Sequence, residues 1–282
     1  MPYITSAQNE TEPIKIYYED LGTGTPVVFI HGWPLSGSMW EYQITELVHQ
    51  GMRCITYDRR GFGKSDRHSL DYDYDTLTGD LKSLLDELDL TNVTLVGFSM
   101  GGGEIARYFS TYGGNRVSKV VLVSAVVPYM LKTDSNPNGV PQDVFDSMTE
   151  GMKKDRPAFF EAFNKDFFGV SLLSHPASEA FLQNGLTKVM DASPIATLAC
   201  AKSFSSTDFR NDVSKINVPT LIIHGDKDKT VPIDPTGNET AKLLPDAKYK
   251  IYKGAPHGLY FTEKDKLNKD LVEFCLNYDL SV

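Results

Sequence analysis

Residues 93–103, Val-Thr-Leu-Val-Gly-Phe-Ser-Met-Gly-Gly-Gly, decide the fold of this chain. An apolar β-strand pattern ends at Val96, the turn Gly97–Gly101 has Ser99 at its centre, and a helical pattern follows. This strand–turn–helix setting is typical of a nucleophile elbow, in which a tight turn holds a serine hydroxyl at the edge of a sheet. The flanking glycines are expected because Cβ atoms at those positions would collide. The pattern therefore predicts Ser99 as a nucleophile.

Short runs of apolar and β-branched residues surround this turn and alternate with helical patterns. Strands that alternate with helices indicate a mostly parallel sheet covered by helices on both faces. The predicted strands are Ile14–Tyr18, Val27–Ile30, Arg53–Tyr57, Val93–Val96, Val120–Val123, Thr220–Ile223 and Lys248–Tyr252. The predicted helices between them are Ser38–Gln50, Tyr74–Leu88, a helix after Ser99, and Lys264–Leu276.

The alternation stops between Pro128 and Val218, where no strand pattern is convincing. A structureless loop of that length is uncommon in a compact domain. We therefore predict a helical cap, residues 128–217, inserted into a discontinuous core of residues 1–127 and 218–282. An independent second domain is the alternative, and it is disfavoured because the strand pattern resumes directly afterwards. The predicted cap helices are Val144–Lys154, Ala158–Phe167, Ser178–Met190 and Ile195–Phe204.

The composition excludes several classes of protein. The 282 residues carry 28 Lys and Arg against 37 Asp and Glu, a net charge of −9, which disfavours binding to nucleic acid. No segment approaches the roughly 18 apolar residues of a membrane helix, and the first residues lack a secretory signal pattern. Cys54, Cys200 and Cys275 are expected to be unpaired. These features predict a cytoplasmic protein with no nucleic-acid and no membrane partner, and they leave open whether it forms a homo-oligomer.

A serine nucleophile needs a base and a carboxylate that orients the base. His257 is the best-placed base, because it lies in a loop between Pro256 and Gly258 after the last predicted strand. Two acids, Asp226 and Asp228, follow the strand that ends at Ile223. We prefer Asp228 because it lies deeper in the loop, whereas Asp226 is better suited to holding the turn.

An oxyanion hole is predicted from two loops. The main-chain N–H that follows the nucleophile, at Met100, pairs in this arrangement with an N–H from the loop after an early strand. That loop, residues 31–34, places Trp33 as the second donor, and Pro34 restricts its backbone to extended conformations. The ring of His31 is expected to tie the loop backbone together.

Five segments resemble the cofactor-free haloperoxidase branch of the α/β-hydrolases, which includes aryl esterases, perhydrolases and γ-lactamases. The resemblance covers residues 14–278, and the polar stretch before Glu12 has no clear counterpart. It implies an α/β-hydrolase fold with an eight-stranded, mostly parallel sheet and a helical cap. It also implies a triad at Ser99, Asp228 and His257, oxyanion donors at Trp33 and Met100, and no haem, metal or other cofactor. The segments are HGWPLSGSMWEYQ, YDRRGFGKSD, LVGFSMGGGEIARY, STDFRNDVSKINVPTLIIHGDKDKTVP and YKGAPHGL.

Other interpretations of the same residues are weaker. His224 with Asp226 and Asp228 could form a metal cluster, but no further His or Cys supports one. The glycines after Gly97 do not have the spacing of a dinucleotide-binding loop. Dehalogenases and epoxide hydrolases carry an aspartate nucleophile at the elbow, which Ser99 excludes.

The sequence thus predicts a serine hydrolase that cleaves small carboxylic esters through an acyl-enzyme, which water or hydrogen peroxide then resolves. Hydrolysis of γ-lactams or amides is the alternative within the same chemistry. A catalytically silent ligand receptor on the same fold is the alternative of another class. An apolar acyl pocket is expected from Phe98, Val126, Met130, Phe163, Phe167, Phe204 and Val231.

Overall fold

The computed structural model describes residues 2–6 and 13–276, which fold around one eight-stranded sheet. Its central strands consist of apolar and β-branched residues that are buried throughout, as expected for strands covered on both faces. The strands are β1 (Tyr3–Ser6), β2 (Ile14–Leu21), β3 (Pro26–Ile30), β4 (Arg53–Tyr57), β5 (Val93–Phe98), β6 (Val117–Val123), β7 (Thr220–Gly225) and β8 (Lys248–Tyr252).

The order of the strands creates the site. It is β1-β2-β4-β3-β5-β6-β7-β8, in which β2 is antiparallel to β1 and β4 and all later neighbours are parallel. The chain first moves from β3 to β4 on one side and then returns to β5 on the other side. A reversal of this kind leaves a crevice outside the carboxyl ends of the strands, where α/β proteins bind their ligands. The loops after β3 and β5 meet there.

Helices cover the sheet. Several helices begin at a side-chain cap. In α2, for example, the carboxylate of Asp73 accepts a hydrogen bond from the main-chain N–H of Thr76. A 3-10 turn, Gly37–Trp40, precedes the first helix. The helices are α1 (Glu41–His49), α2 (Tyr74–Glu87), α3 (Met100–Tyr112), α4 (Gln142–Lys154), α5 (Arg156–Phe167), α6 (Glu179–Asp191), α7 (Pro194–Ser206), α8 (Arg210–Val213), α9 (Gly237–Leu243), α10 (Leu259–Thr262) and α11 (Lys264–Leu276).

The predicted fold class is confirmed, with one strand missed. All seven predicted strands are present, but β1 lies in the polar N-terminal stretch and was not predicted. Ile4 of β1 is buried, and the hydroxyl of Ser6 donates to Asp80 of α2 at 2.5 Å. Four residues with only two buried side chains carry too weak a periodic signal to predict a strand. Residues 7–12 of that stretch lie outside the described residues.

Helices α4–α7 all lie between β6 and β7, as the sequence predicts for residues 128–217. Helix α5 packs against α4 and α6, and α4 also packs against α7. We call α4–α7 the inserted helices. Trp33 from the loop after β3 packs against three phenylalanines of this segment, so the inserted helices lie against that loop.

The three cysteines are buried and unpaired, as predicted. Burial raises the pKa of Cys54 and of Cys200 to about 12, so both thiols stay protonated. Within residues 2–6 and 13–276, no helix has the length and apolar character needed to cross a membrane.

Candidate active site

Ser99 lies in the turn between β5 and α3 with φ 54° and ψ −117°. This conformation is rarely adopted by a residue other than glycine, and such strain persists only where the surroundings impose it. The N–H of Ser99 donates to the carbonyl of Val123 at 2.9 Å, and its own carbonyl accepts from Val126 at 3.2 Å. The turn is thereby fixed to β6, and Ser99 is 6% exposed.

The glycines around Ser99 are required by close backbone approach. A Cβ at Gly97 would lie 2.7 Å from the carbonyl oxygen of Gly101, and a Cβ at Gly101 would lie 2.7 Å from that of Ile30. The next two glycines face neighbouring side chains: a Cβ at Gly102 would lie 2.4 Å from that of Ala125, and one at Gly103 would overlap the ring of Tyr74. The glycine run therefore lets α3 pack closely against the sheet and α2.

The structure brings Ser99, His257 and Asp228 together from three separate loops. His257 Nε2 lies 3.0 Å from Ser99 Oγ, and His257 Nδ1 lies 2.6 Å from Asp228 Oδ2. Because a carboxylate only accepts hydrogen bonds, Nδ1 carries the proton and Nε2 is free to accept from the serine hydroxyl. All three side chains are almost completely buried. This geometry allows transfer of a proton from Ser99 to His257.

Asp228 is held as an ionised carboxylate. Its Oδ1 accepts the N–H groups of Thr230 at 3.0 Å and Val231 at 2.7 Å. Burial by itself raises the pKa of this carboxyl, but the adjacent imidazoles of His257 and His224 lower it to about 2. His224 is oriented by a contact of 2.9 Å between its Nε2 and the carbonyl of Val231.

Asp226, the other candidate acid, points to a different partner. Its exposed carboxylate accepts the N–H of Gly254 at 2.6 Å, three residues before His257. It therefore braces the loop that carries the imidazole, without touching the ring. In the described residues, no group of three or more His, Cys, Asp or Glu side chains is arranged to hold a metal ion.

The two predicted oxyanion donors lie beside the nucleophile. Met100 is the first residue of α3, so its N–H has no acceptor within the helix. Among the described residues, no hydrogen bond is formed by the main-chain N–H of Met100 or of Trp33. The loop of Trp33 approaches closely, because a Cβ at Gly32 would lie 3.2 Å from that of Ser99.

A buried ionic network under this loop was missed by the sequence analysis. The guanidinium of Arg59 donates to Glu104 of α3 at 2.8 Å and to the carbonyl of His31 at 2.7 Å. The N–H of Arg59 donates to His31 Nε2 at 2.9 Å, so the ring proton is on Nδ1, 2.8 Å from the carbonyl of Gly32. Burial and the charge of Arg59 hold the pKa of His31 well below its usual range. The expectation that His31 ties the loop backbone together agrees with these contacts.

The residues predicted to form the acyl pocket are distributed around the site. Phe98 and Phe167 each lie 4.8 Å from the ring of His257, measured between centroids. Phe163 and Phe204 pack on Trp33. The other three, Val126, Met130 and Val231, are buried near the turns of Ser99 and Asp228 or in the segment after β6.

An apolar cavity lies between the loop after β3, helices α5 and α6, and α10. Of the seven predicted residues, Phe163 and Phe167 line it. The rest of its lining was not predicted, because it comes from the loop after β3, the 3-10 turn and helices α1, α5, α6 and α10. The local signal in the sequence was the spacing of Phe163 and Phe167, four residues apart on one helix, which an ordinary packed core produces equally well. The missed residues include Leu35, Met39, Asn164, Phe181, Gly185 and Tyr260.

A family model and the relatives of this chain indicate the same family. A family described as alpha/beta hydrolase fold matches residues 25–264. A non-heme chloroperoxidase of Kitasatospora aureofaciens is 42% identical over 267 residues, which cover 93% of this chain and 96% of the relative. A bifunctional esterase/perhydrolase of Acinetobacter calcoaceticus is 36% identical over 277 residues, covering 97% and 99% of the two chains.

A solved structure is similar over the same length. The crystal structure of a bromoperoxidase from Bacillus anthracis superimposes with a TM-score of 0.93 and 49% identity, covering 98% of this chain and 100% of the other. The similarity therefore includes the inserted helices as well as the sheet.

Proposed function

The chain belongs to the α/β-hydrolase family, and on this premise we propose that it hydrolyses small carboxylic esters through an acyl-enzyme at Ser99 and transfers the same acyl group to hydrogen peroxide. The resemblance to the haloperoxidase branch is confirmed by its chloroperoxidase and esterase/perhydrolase relatives. The observation that carries the proposal is the continuous chain of hydrogen bonds from Ser99 Oγ through His257 to Asp228.

In the proposed reaction, His257 Nε2 takes the hydroxyl proton while Ser99 Oγ attacks the ester carbonyl. The negative charge of the tetrahedral intermediate falls on the former carbonyl oxygen, where the N–H groups of Met100 and Trp33 are placed to donate. The imidazolium then gives its proton to the leaving alcohol. Asp228 stabilises the imidazolium, and its pKa near 2 keeps it ionised throughout.

The acyl-enzyme is resolved by a second nucleophile. Water, deprotonated by His257, releases the carboxylic acid, and hydrogen peroxide in the same role releases a peracid. Both nucleophiles use the same base, so the two activities share one set of residues. Ser99, His257 and Asp228, together with the N–H groups of Met100 and Trp33, act in both the formation and the breakdown of the acyl-enzyme.

We propose that the inserted helices, residues 128–217, act as a cap over Ser99. Trp33 Nε1 donates to the carbonyl of Thr197 in α7 at 2.9 Å, which fastens the loop after β3 to this segment. Phe167 of α5 lies on the ring of His257. We expect these contacts to exclude bulk water from the site and to favour apolar groups directly beside the reacting carbonyl.

The proposal is tested with p-nitrophenyl acetate, the same ester with hydrogen peroxide, and a fluorophosphonate label. We expect wild-type protein to hydrolyse the ester, form peracetic acid and take up one label per chain. Ser99→Ala should lose all three properties, with hydrolysis falling by about 10⁶-fold. Ser206→Ala, which changes an exposed serine, is the matched control.

Each assay has an outcome that contradicts the proposal. A folded wild-type protein that neither takes up the label nor turns over the ester would be a ligand receptor. Faster turnover of a γ-lactam than of any short ester would make amide hydrolysis the main activity. Full activity of Ser99→Ala would exclude the serine mechanism.

A further inference from the structure

The cavity between α5 and α6 contains an unpaired polar group. Asn164 lines the cavity and is 7% exposed, and its Nδ2 has no hydrogen-bond acceptor among the described residues. A buried donor without an acceptor lowers stability, and native proteins rarely keep one without a compensating use. Of the unpaired buried side-chain atoms in the described part of the chain, this is the one on the cavity lining.

The amide faces the gap between the two helices. A Cβ at Gly185 of α6 would lie 3.9 Å from Asn164 Nδ2, and Gly185 also lines the cavity. Asn164 borders a smaller hollow as well, but Gly185 does not. The glycine therefore leaves open the space directly in front of the amide, on the side of the cavity.

The cavity is adjacent to the proposed reaction centre. Phe167 lines it and also lies 4.8 Å from the ring of His257. Pro34 and Leu35, which also line it, follow Trp33 directly in the chain. The ring of Phe167 therefore lies between the cavity and the imidazole of His257.

The charges at the cavity favour a neutral ligand. Glu41 and Lys188, of opposite sign, both line it, so the site has no net preference for an anion or a cation. The remaining walls are largely aromatic and aliphatic. An amide N–H in such surroundings selects an uncharged acceptor oxygen.

We propose that this cavity is a specificity subsite that binds the distal part of an ester substrate through a carbonyl or ether oxygen, which accepts a hydrogen bond from Asn164 Nδ2. The subsite rests on the proposed function, because it acts on substrates of the same Ser99. It makes Asn164 a determinant of substrate choice and predicts that oxygenated esters are preferred over alkyl esters of equal length.

The test compares p-nitrophenyl esters of 4-oxopentanoate, 5-oxohexanoate and 6-oxoheptanoate with those of pentanoate, hexanoate and heptanoate. A parallel series places the ketone in the alcohol part of acetate esters, which distinguishes the two directions of binding. We expect one oxo ester to exceed its alkyl partner in kcat/KM by about three- to tenfold, the value of one hydrogen bond.

Asn164→Leu removes the donor and keeps a similar shape, so this ratio should fall to about one. Its melting temperature should rise, since an unpaired buried donor is removed, whereas a merely structural Asn164 would make it fall. Gly185→Leu, which keeps the amide and fills the space before it, should abolish the preference in the same way. Asn211→Leu changes an exposed asparagine outside the cavity and should keep the wild-type ratio.

Hydrolysis of p-nitrophenyl acetate by the wild-type enzyme separates the two proposals. If acetate is not hydrolysed, the proposed function fails. If acetate is hydrolysed and no oxo ester in either series is preferred, or the preference persists in Asn164→Leu, the subsite is wrong and the proposed function stands.

Discussion

The sheet side and the helical side of Ser99 are built from different kinds of contact. On the sheet side, Arg59 joins Glu104 of α3 to His31 of the loop after β3 through buried hydrogen bonds. On the helical side, Trp33 is enclosed by aromatic rings, and the buried amide of Asn164 has no partner in the described structure.

This difference separates two tasks. Directional hydrogen bonds between buried groups fix distances to tenths of an ångström, which proton transfer and oxyanion binding require. Apolar packing tolerates changes of shape as long as volume is kept, so it suits a surface that selects among acyl groups. We therefore expect changes on the sheet side to alter rate and stability, and changes on the helical side to alter substrate preference.

The largest difference is expected between two acids of the loop after β7. Asp228 contacts His257, whereas Asp226 accepts from Gly254 instead. Asp228→Asn should reduce kcat by about 10⁴-fold, because an amide donates to Nδ1 and stabilises the wrong imidazole tautomer. Asp226→Asn keeps an oxygen that accepts from Gly254, so its kcat should stay within a few-fold of wild type. Steady-state hydrolysis of p-nitrophenyl acetate measures both, and a larger loss in Asp226→Asn would assign the acid to that residue instead.

The sequence was sufficient for the parts of this site that depend on short motifs. Gly97, Ser99 and Gly101 predicted the elbow, and Asp228 and His257 were predicted because each lies in a loop after a predicted strand. Local chain geometry imposes these features, and local geometry leaves a signature in neighbouring residues. The fold class, which was predicted from alternating strand and helix patterns, is confirmed because those patterns are also local.

The remaining features depend on long-range packing. Arg59 and Glu104 are separated by 45 positions, and neither lies in a pattern that predicts burial of a charge. Asn164 and Gly185 face each other only because α5 packs on α6. Strand β1 is defined by its pairing with β2, and its own four residues carry little signal. The division into core and cap stays a prediction.

The buried pair on the sheet side should contribute strongly to stability. Glu104→Gln leaves the guanidinium of Arg59 buried without its counter-charge and should lower the free energy of unfolding by about 3–5 kcal/mol. The matched control is Glu150→Gln, which removes a solvent-exposed pair with Lys153 and should cost about 0–1 kcal/mol. Urea denaturation measures both changes. Equal losses of unfolding free energy in the two variants would show that the buried pair contributes no more to stability than the exposed one.

The pH dependence of stability gives a smaller effect with a defined direction. The pKa of Asp228 is about 2 in the folded protein, below its ordinary value of 3.8. A lowered pKa contributes stability that is fully present above the unfolded value and is lost as pH falls toward the folded value. Asp228 should therefore contribute on the order of 2 kcal/mol above about pH 5, lost progressively between about pH 4 and 2.

Asp228→Asn removes that titration and is the variant that checks it. Denaturation of wild-type and variant protein at several pH values should give a difference in stability that shrinks below about pH 4. A difference that is constant from pH 7 to 3 would contradict an ionised Asp228 stabilised by its imidazole neighbours.

The smallest expected effect lies on the helical side. Phe163 lines the cavity and packs on Trp33 at 5.7 Å, whereas Phe159 of the same helix is stacked on Phe163 and does not line the cavity. Phe163→Leu removes apolar contact with longer acyl groups. The ratio of kcat/KM for p-nitrophenyl hexanoate to that for p-nitrophenyl acetate should therefore fall, by about tenfold or less. Phe159→Leu deletes the same atoms from the same helix, and its ratio should match that of wild type. If both variants shift the ratio equally, α5 acts through its overall packing, and the separation between a catalytic sheet side and a selective helical side would not hold.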